Sequence, residues 1–167
     1  RPYTAIGRTL IAAGELVRSE VSLGTIRTWL KAHPDAARAV METDQSYVFF
    51  HEAPVGDPAL GSPGSEGVGL TPDASLAVDL RLHALGAPFY VATAVPGDPQ
   101  AWDRLLIAQD TGGAIRGAVR GDIFFGFGET AAMRAGNMKA PGKFYVLLPT
   151  PVAARLGASA DFPGKTP

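Results

Sequence analysis

Two aspartates and a run of glycines stand out in the stretch from Ala108 to Gly128, which reads AQDTGGAIRGAVRGDIFFGFG. Asp110 ends one apolar segment, and Asp122 begins the next one after a glycine-rich connection. Two carboxyl groups that share a cleft push their pKa values apart, so one of them can stay protonated near neutral pH. A protonated carboxyl is the group that donates a proton to a glycosidic oxygen. The same spacing is also typical of aspartates that cap turns.

The phenylalanines that follow Asp122 bear on the catalytic interpretation. Phe124, Phe125 and Phe127 place apolar rings close to this carboxyl along the chain. Burial among apolar groups disfavours the charged form of a carboxylic acid. The pattern therefore predicts that these rings desolvate Asp122.

Other chemistries fit the sequence less well. A P-loop requires lysine after its glycines, whereas here an aspartate leads and no lysine follows. The three histidines, His33, His51 and His83, lack the spacing of a zinc site, and the chain contains no cysteine. No serine occupies a G-x-S-x-G nucleophile elbow. The sequence therefore predicts neither a metal ion nor another cofactor.

Composition narrows the class of protein further. The chain has 167 residues, of which 46% are apolar, and this suits one domain or one domain with part of another. Its net charge of −1 gives no basic field for nucleic acid. Arg1 is not Met, and no signal pattern precedes the first helix, so we expect a processed or truncated piece with its localisation signal elsewhere.

The periodicity of apolar residues predicts helices first and strands later. We expect helices over 3–16 and 23–32, the second capped by Ser22, and a third capped by Asp35 and running through Glu42. Residues 46–50 have the β-branched and aromatic composition of a strand, and residues 53–69 that of a mobile loop or linker. Short strands over 75–79, 88–95, 104–109, 122–127 and 143–148, with a helix over 129–138, suggest a small barrel or sandwich.

The segments around the aspartates resemble a known family. The stretches LLIAQDTGGAIRG, from Leu105, and GDIFFGFG, from Gly121, resemble the 3D domain, which is named for three aspartates. The third aspartate matches Asp79 in SLAVD. Further stretches are similar, in the same order, to the membrane-bound lytic murein transglycosylase A family: RPYTAIG, IRTWL with HP, SYVFF, AG, and GKFYVLL.

The resemblance implies a fold and a domain organisation. The fold is mainly β with helices, a double-psi β-barrel (3D domain) together with the end of a smaller β-rich inserted domain. Residues 1–52 would end the inserted domain, 53–69 would be a loop or linker, 70–150 would form the barrel portion, and 151–167 a C-terminal tail. The upstream half of the family's chain, including part of the groove wall, is absent from this sequence.

The resemblance also implies an activity and roles for particular residues. Family members cleave the β-1,4 bond between N-acetylmuramic acid and N-acetylglucosamine in peptidoglycan, leaving a 1,6-anhydro product. The acid and base would be Asp122, with Asp110 and Asp79 as partners that hold and tune it. The backbone of Thr111, Gly112 and Gly113 would line the groove. Tyr47, Phe49 and Trp102 have rings that can stack on sugars, although their residue types favour core packing for each of them.

Partners and location follow from the same resemblance. We expect a peptidoglycan strand as partner, no nucleic acid, the N-terminal half of the enzyme as a separate chain, and a periplasmic site held at the outer membrane by a lipid anchor outside this chain. Two alternatives remain open at this point. One is an inverting glycosidase in which Asp110 or Asp79 activates water, and the other is a non-catalytic module that binds the cell wall.

Overall fold

The computed structural model describes residues 1–47, 49–52, 54 and 56–157. Three helices come first, followed by strands and two further helices. The elements are α1 (Ile6–Ala12), α2 (Leu23–Ala32), α3 (Pro34–Met41), β1 (Ser75–Val78), β2 (Pro88–Thr93), β3 (Trp102–Thr111), β4 (Gly121–Ile123), α4 (Gly128–Asn137), β5 (Gly142–Val146) and α5 (Thr150–Arg155).

The N-terminal helices largely follow their sequence signals. Ser22 caps α2 as predicted: its hydroxyl accepts from the Thr25 amide at 3.1 Å, and the Thr25 hydroxyl accepts from the Ser22 amide at 2.9 Å. The prediction that Asp35 caps α3 is wrong. Pro34 occupies the first helical turn, which proline tolerates because that amide needs no partner, and Asp35 therefore lies inside the helix.

The predicted strand over 46–50 is also wrong where the structure describes it. Residues 46, 47, 49 and 50 have no strand pairing, and Val48 lies outside the described residues. The side chains of Tyr47, Phe49 and Phe50 are exposed. Their composition favours a strand, but a strand forms only where a neighbouring backbone completes its hydrogen bonds.

The strands form one mixed sheet in the order β4-β1-β3-β2-β5. β1 runs parallel to β3 and antiparallel to β4, while β2 pairs antiparallel with both β3 and β5. Ile123 of one edge strand and Phe144 of the other line the same cavity, so the sheet curls into a half-barrel. Its interior is filled by a cluster of buried apolar side chains that includes Leu76, Val78, Phe89, Val91, Trp102, Leu106 and Phe125.

All five predicted strands of this region are present, although β4 is shorter than predicted. The prediction extended this strand from Asp122 to Phe127, but it ends at Ile123. Gly126 and Gly128 adopt positive φ values of 94° and 86°, and this turns the chain out of the sheet and into α4. The short helix α5 within the predicted tail has no counterpart in our sequence predictions.

The glycine- and proline-rich segment before β1 folds back onto the sheet in its second half. The Gly61 amide donates to the Leu70 carbonyl at 2.7 Å, and the Gly64 amide donates to the Val68 carbonyl at 2.9 Å. The Glu66 amide then donates to the Gln109 carbonyl at 3.1 Å. These bonds fix the loop against the end of β3.

Gly121, the first residue of β4, offers a test of this packing. A Cβ at Gly121 would lie 2.9 Å from both Leu76 Cδ1 and Phe144 Cε1. We expect Gly121→Ala to lower the free energy of unfolding by about 1–3 kcal/mol, the usual cost of overpacking a core. Gly113→Ala is the control, because a Cβ there meets nothing within 4 Å. Urea unfolding measures both variants, and equal stabilities would contradict the predicted clash.

Candidate functional site

Strand β1 brings Asp110 and Asp122 to the same part of the sheet. Ala77 pairs with Asp110 of β3 on one side and with Asp122 of β4 on the other. β3 and β4 are therefore not neighbours in the sheet, because β1 lies between them. The Cα atoms of Asp110 and Asp122 are separated by two strand spacings of roughly 4.8 Å each. Both aspartates line one cavity of about 150 Å³. The structure thus unites these two predicted site residues across an intervening strand.

Asp110 is held by the loop that precedes β1. Its Oδ1 accepts from the Ser65 amide at 3.0 Å and from the Ser65 hydroxyl at 2.9 Å. The same hydroxyl lies 2.7 Å from the Thr111 hydroxyl, and this bond joins another predicted site residue to the network. Sequence reasoning placed Ser65 only in a flexible loop, because nothing local indicates a contact across 45 residues.

Asp122 is the more accessible of the two carboxylates. Its side chain is 56% exposed, and its Oδ1 lies 3.0 Å from Arg120 Nη2. The predicted desolvation by the phenylalanines is wrong for this structure. Phe125 turns into the core against Trp102, and Phe127 is exposed. Phe124 lines the smaller cavity together with Asp122, but the carboxylate still stays more than half exposed. Asp122 also lines a second and larger cavity, of about 380 Å³.

Asp79 is buried and fully engaged in binding other groups. Its two oxygens accept from Arg81 Nε at 3.0 Å and Arg81 Nη2 at 2.6 Å, and Oδ2 also accepts from the Gly117 amide at 2.8 Å. The Arg81 guanidinium and then the Gly117 amide hold the pKa of Asp79 well below its usual range, against the opposing effect of burial. Asp79 is not among the residues that line either cavity.

The loop from Gly112 to Arg120 therefore has an anchor at its middle. Asp79 binds the Gly117 amide, and Nε2 of His83 lies 2.9 Å from the Ala118 carbonyl oxygen. Near the start of the loop, the buried side chain of Ile115 packs beside Gly112. A Cβ added at Gly113 would meet no other atom within 4 Å. These contacts set the path of the chain between the two aspartates of the cavity.

A second anchor holds the chain after β4, and sequence reasoning missed it. Arg134 of α4 lies 3.1 Å from Asp73 Oδ1, and its guanidinium lies over the Phe125 ring at 4.4 Å. The Asp73 amide donates to the Phe124 carbonyl at 2.8 Å. Asp73 and Arg134 are 61 residues apart, and no local motif signals their pairing.

The remaining predicted residues lie apart from the two cavities. Trp102 is buried in the core and packs edge-on against Phe125, so it is not a sugar-stacking platform. Tyr47 is exposed, with its ring centroid 5.3 Å from that of Phe49, and lines neither cavity. No group of three or more metal-ligating side chains occurs within the described part of the chain. None of the helices described there is long and apolar enough to cross a membrane.

Comparison with known families identifies the class to which this half-barrel belongs. The family model described as the 3D domain matches residues 74–148, which span all five strands. A second model, described as the MltA specific insert domain, matches residues 1–51. Together the two models match most of the chain, which belongs to the membrane-bound lytic murein transglycosylase A (MltA) family.

Individual relatives agree with this assignment. The chain is 33% identical over 155 residues to "Membrane-bound lytic murein transglycosylase A" of Vibrio cholerae, covering 88% of the chain and 40% of the relative. It is 32% identical over 163 residues to the Escherichia coli protein of the same name, covering 92% of the chain and 42% of the relative. The chain thus spans about two fifths of the length of these relatives.

Solved structures support the predicted fold. The membrane-bound lytic murein transglycosylase of Agrobacterium tumefaciens superposes with a TM-score of 0.78 at 39% identity, over 93% of this chain and 43% of that one. Escherichia coli MltA with bound chitohexaose gives a TM-score of 0.75 at 31% identity, over 88% of this chain and 44% of that one. The predicted fold class, a double-psi barrel with part of an inserted domain, is confirmed.

The buried carboxylate of Asp79 predicts a pH dependence of stability. A carboxyl whose pKa is lowered on folding stabilises the fold fully above its unfolded pKa of about 3.9, and this contribution is lost as the pH falls below that value. We expect the urea midpoint of the wild-type chain to fall between about pH 5 and pH 2, and to fall less steeply in Asp79→Asn.

The same substitution tests the anchor at Gly117. Because Asp79→Asn weakens the acceptor for this amide, we expect faster hydrogen exchange at Gly117 than in the wild type. Asp103→Asn, at an exposed position of β3 with no ion pair described within 4 Å, is the matched control. Parallel acid profiles and unchanged exchange in Asp79→Asn would contradict the proposed anchor.

Proposed function

We propose that this chain forms part of a lytic transglycosylase that cleaves peptidoglycan between N-acetylmuramic acid and N-acetylglucosamine and leaves 1,6-anhydro ends. One observation carries the proposal: Asp122, on the sheet of an MltA-family 3D domain, presents a half-exposed carboxyl between two adjoining cavities. Relatives bear the name lytic murein transglycosylase, and one was solved with bound chitohexaose. An accessible carboxyl within hydrogen-bond reach of the glycosidic oxygen is what proton transfer to that oxygen requires.

Asp122 acts as both acid and base in this mechanism. Its protonated carboxyl donates a proton to the glycosidic oxygen, and the bond from that oxygen to the muramyl anomeric carbon breaks. The C6 hydroxyl of the same muramyl residue bonds to the anomeric carbon, and its proton returns to the Asp122 carboxylate. The nucleophile is part of the substrate, so its proximity reduces the entropic barrier by several kcal/mol and no second carboxylate is needed.

The other predicted site residues have supporting roles. Asp110 forms the polar wall of the smaller cavity together with Asp122. The loop that carries Ser65 holds the Asp110 carboxylate in position. Asp79 positions the connection between β3 and β4 by binding the Gly117 amide. The open backbone at Gly113 leaves room for a sugar close to the chain.

Parts of the enzyme outside this chain complete the groove and set its location in our proposal. The chain spans about two fifths of its relatives' length, and we propose that the enzyme's N-terminal half completes the groove. On this chain, we propose that Thr111, Gly112 and Tyr47 are among the residues that contact the glycan. The relatives are named membrane-bound, and we propose a periplasmic site at the outer membrane, held there by a lipid anchor outside this chain.

Substitution of Asp122 tests the mechanism. Expressed within its complete reading frame, Asp122→Asn should release anhydromuropeptides from sacculi about 10²–10⁴ times more slowly than the wild type, the usual contribution of a general acid. The matched control is Asp103→Asn, which lies about seven residues, or roughly 23 Å, from Asp110 along β3. Turnover by Asp122→Asn at the wild-type rate, with the circular dichroism spectrum unchanged, would refute the assignment.

The mass of the products separates the alternatives. Each cleavage by an inverting glycosidase consumes one water, so its muramyl-ended product is heavier by one water than the 1,6-anhydro product of a transglycosylase. A cell-wall-binding module would remain on sacculi without releasing either. We expect only the anhydro mass in the wild-type digest, and a hydrated product would show that water is the nucleophile.

A further inference from the structure

The larger cavity beside Asp122 carries two positive charges. Arg120 and Lys139 both line it, and Asp122 is the only acidic residue among its described lining residues. The remaining walls come from strand ends and from the segment between α4 and β5, including Thr93, Phe125 and Phe144. The other cavity that Asp122 lines adds one more charged residue, Asp110. The larger cavity, with two cationic side chains and one carboxylate, therefore suits an anionic group.

Neither cation is tightly held within the described part of the chain. Arg120 bonds Asp122 at 3.0 Å, but both side chains are more than half exposed, and exposed ion pairs contribute little free energy. Lys139 has no carboxylate within 4 Å among the residues that the structure describes. Arg120 can therefore exchange its partner at low cost when another anion enters the cavity.

We propose that Arg120 and Lys139 form a subsite for a carboxylate carried by the sugar at the cleavage point, and that Arg120 leaves Asp122 to bind it. This inference rests on the proposed function. In peptidoglycan, such a carboxylate belongs to the muramyl lactyl group where the peptide has been removed, or to the peptide stem where it is attached. Both sources offer the same chemistry, since guanidinium and ammonium groups form charge-assisted hydrogen bonds with carboxylate oxygens.

The exchange couples substrate charge to the acid. While Arg120 pairs with Asp122, its guanidinium occupies a carboxylate oxygen that proton transfer to the substrate requires. When the guanidinium moves to the substrate carboxylate, this oxygen becomes free to approach the glycosidic oxygen. A neutral glycan would leave the ion pair in place. The arrangement thus makes the site selective for muramyl-containing strands over chitin-like ones.

Binding of matched ligands to the protein, expressed within its complete reading frame, tests the subsite. Isothermal titration would use a peptide-free muramyl tetrasaccharide with its lactyl carboxylates, the same compound as the lactyl carboxamide, a stem-bearing strand of equal length, and chitotetraose. We expect the carboxylate compound to bind about fivefold more tightly than the carboxamide, as one exposed ion pair of about 1 kcal/mol allows. The stem-bearing strand identifies the source: a preference for it over the peptide-free strand assigns the subsite to the peptide carboxylates.

Variants separate charge recognition from glycan binding. Arg120→Gln should bind the carboxylate and the carboxamide equally, with unchanged affinity for chitotetraose, while Arg120→Lys should keep the preference. Lys139→Gln should reduce the preference for the carboxylate over the carboxamide. Arg38→Gln, a distant exposed arginine on α3, is the control and should match the wild type.

Two results would overturn the subsite, and they differ from failure of the proposed function. If the wild type binds chitotetraose but does not distinguish the carboxylate from the carboxamide, the glycan groove stands and the subsite is wrong. If Arg120→Gln and Lys139→Gln both keep the wild-type preference, these residues are not its source. If no glycan binds to the folded protein expressed within its complete reading frame, the proposed function fails and this inference fails with it.

Discussion

The pairing of β1 with two strands at once is the constraint on which the rest of this structure depends. The strand has only four residues, all buried, yet it supplies hydrogen-bonding partners to β3 on one side and β4 on the other. Asp110 and Asp122 lie on these outer strands and meet beside Ala77. An irregularity between Leu76 and Ala77 shifts the register, so that Asp110 rather than Gln109 lies opposite Ala77. Without that shift, Gln109 instead of Asp110 would lie across β1 from Asp122.

The segments that connect these strands are held by polar groups in addition to apolar packing. The carboxylate of Asp79 binds the middle of the β3–β4 connection, Ser65 binds Asp110, and Arg134 fixes the chain after β4 through Asp73. Buried or partly buried polar groups are costly unless they are satisfied, so each anchor stabilises one backbone path strongly. Of the three motif aspartates, Asp122 is the exposed one. Among the described residues, its carboxylate forms an ion pair with the surface side chain of Arg120.

Much of the fold could be predicted from the sequence, and the exceptions share a cause. The Ser22 cap, α2, the five strands and α4 all follow local signals, namely a capping residue, an apolar period or a turn. The predicted strand over 46–50 failed, because its aromatic composition does not provide a neighbouring strand. The early end of β4 and the position of Asp35 inside α3 depend on glycine and proline geometry at single residues, and sequence patterns locate such boundaries poorly.

By itself, the sequence determined the family resemblance and the candidate site residues, namely the three aspartates and the glycines between two of them. Residue types carry that information, because only certain side chains transfer protons and only certain backbones approach a sugar closely. The tertiary structure alone decided the different surroundings of the aspartates. Asp79 is buried and paired, Asp110 is bound by a loop 45 residues away, and Asp122 is exposed beside Arg120. These differences arise from contacts between segments distant in the chain, and no local pattern encodes such contacts.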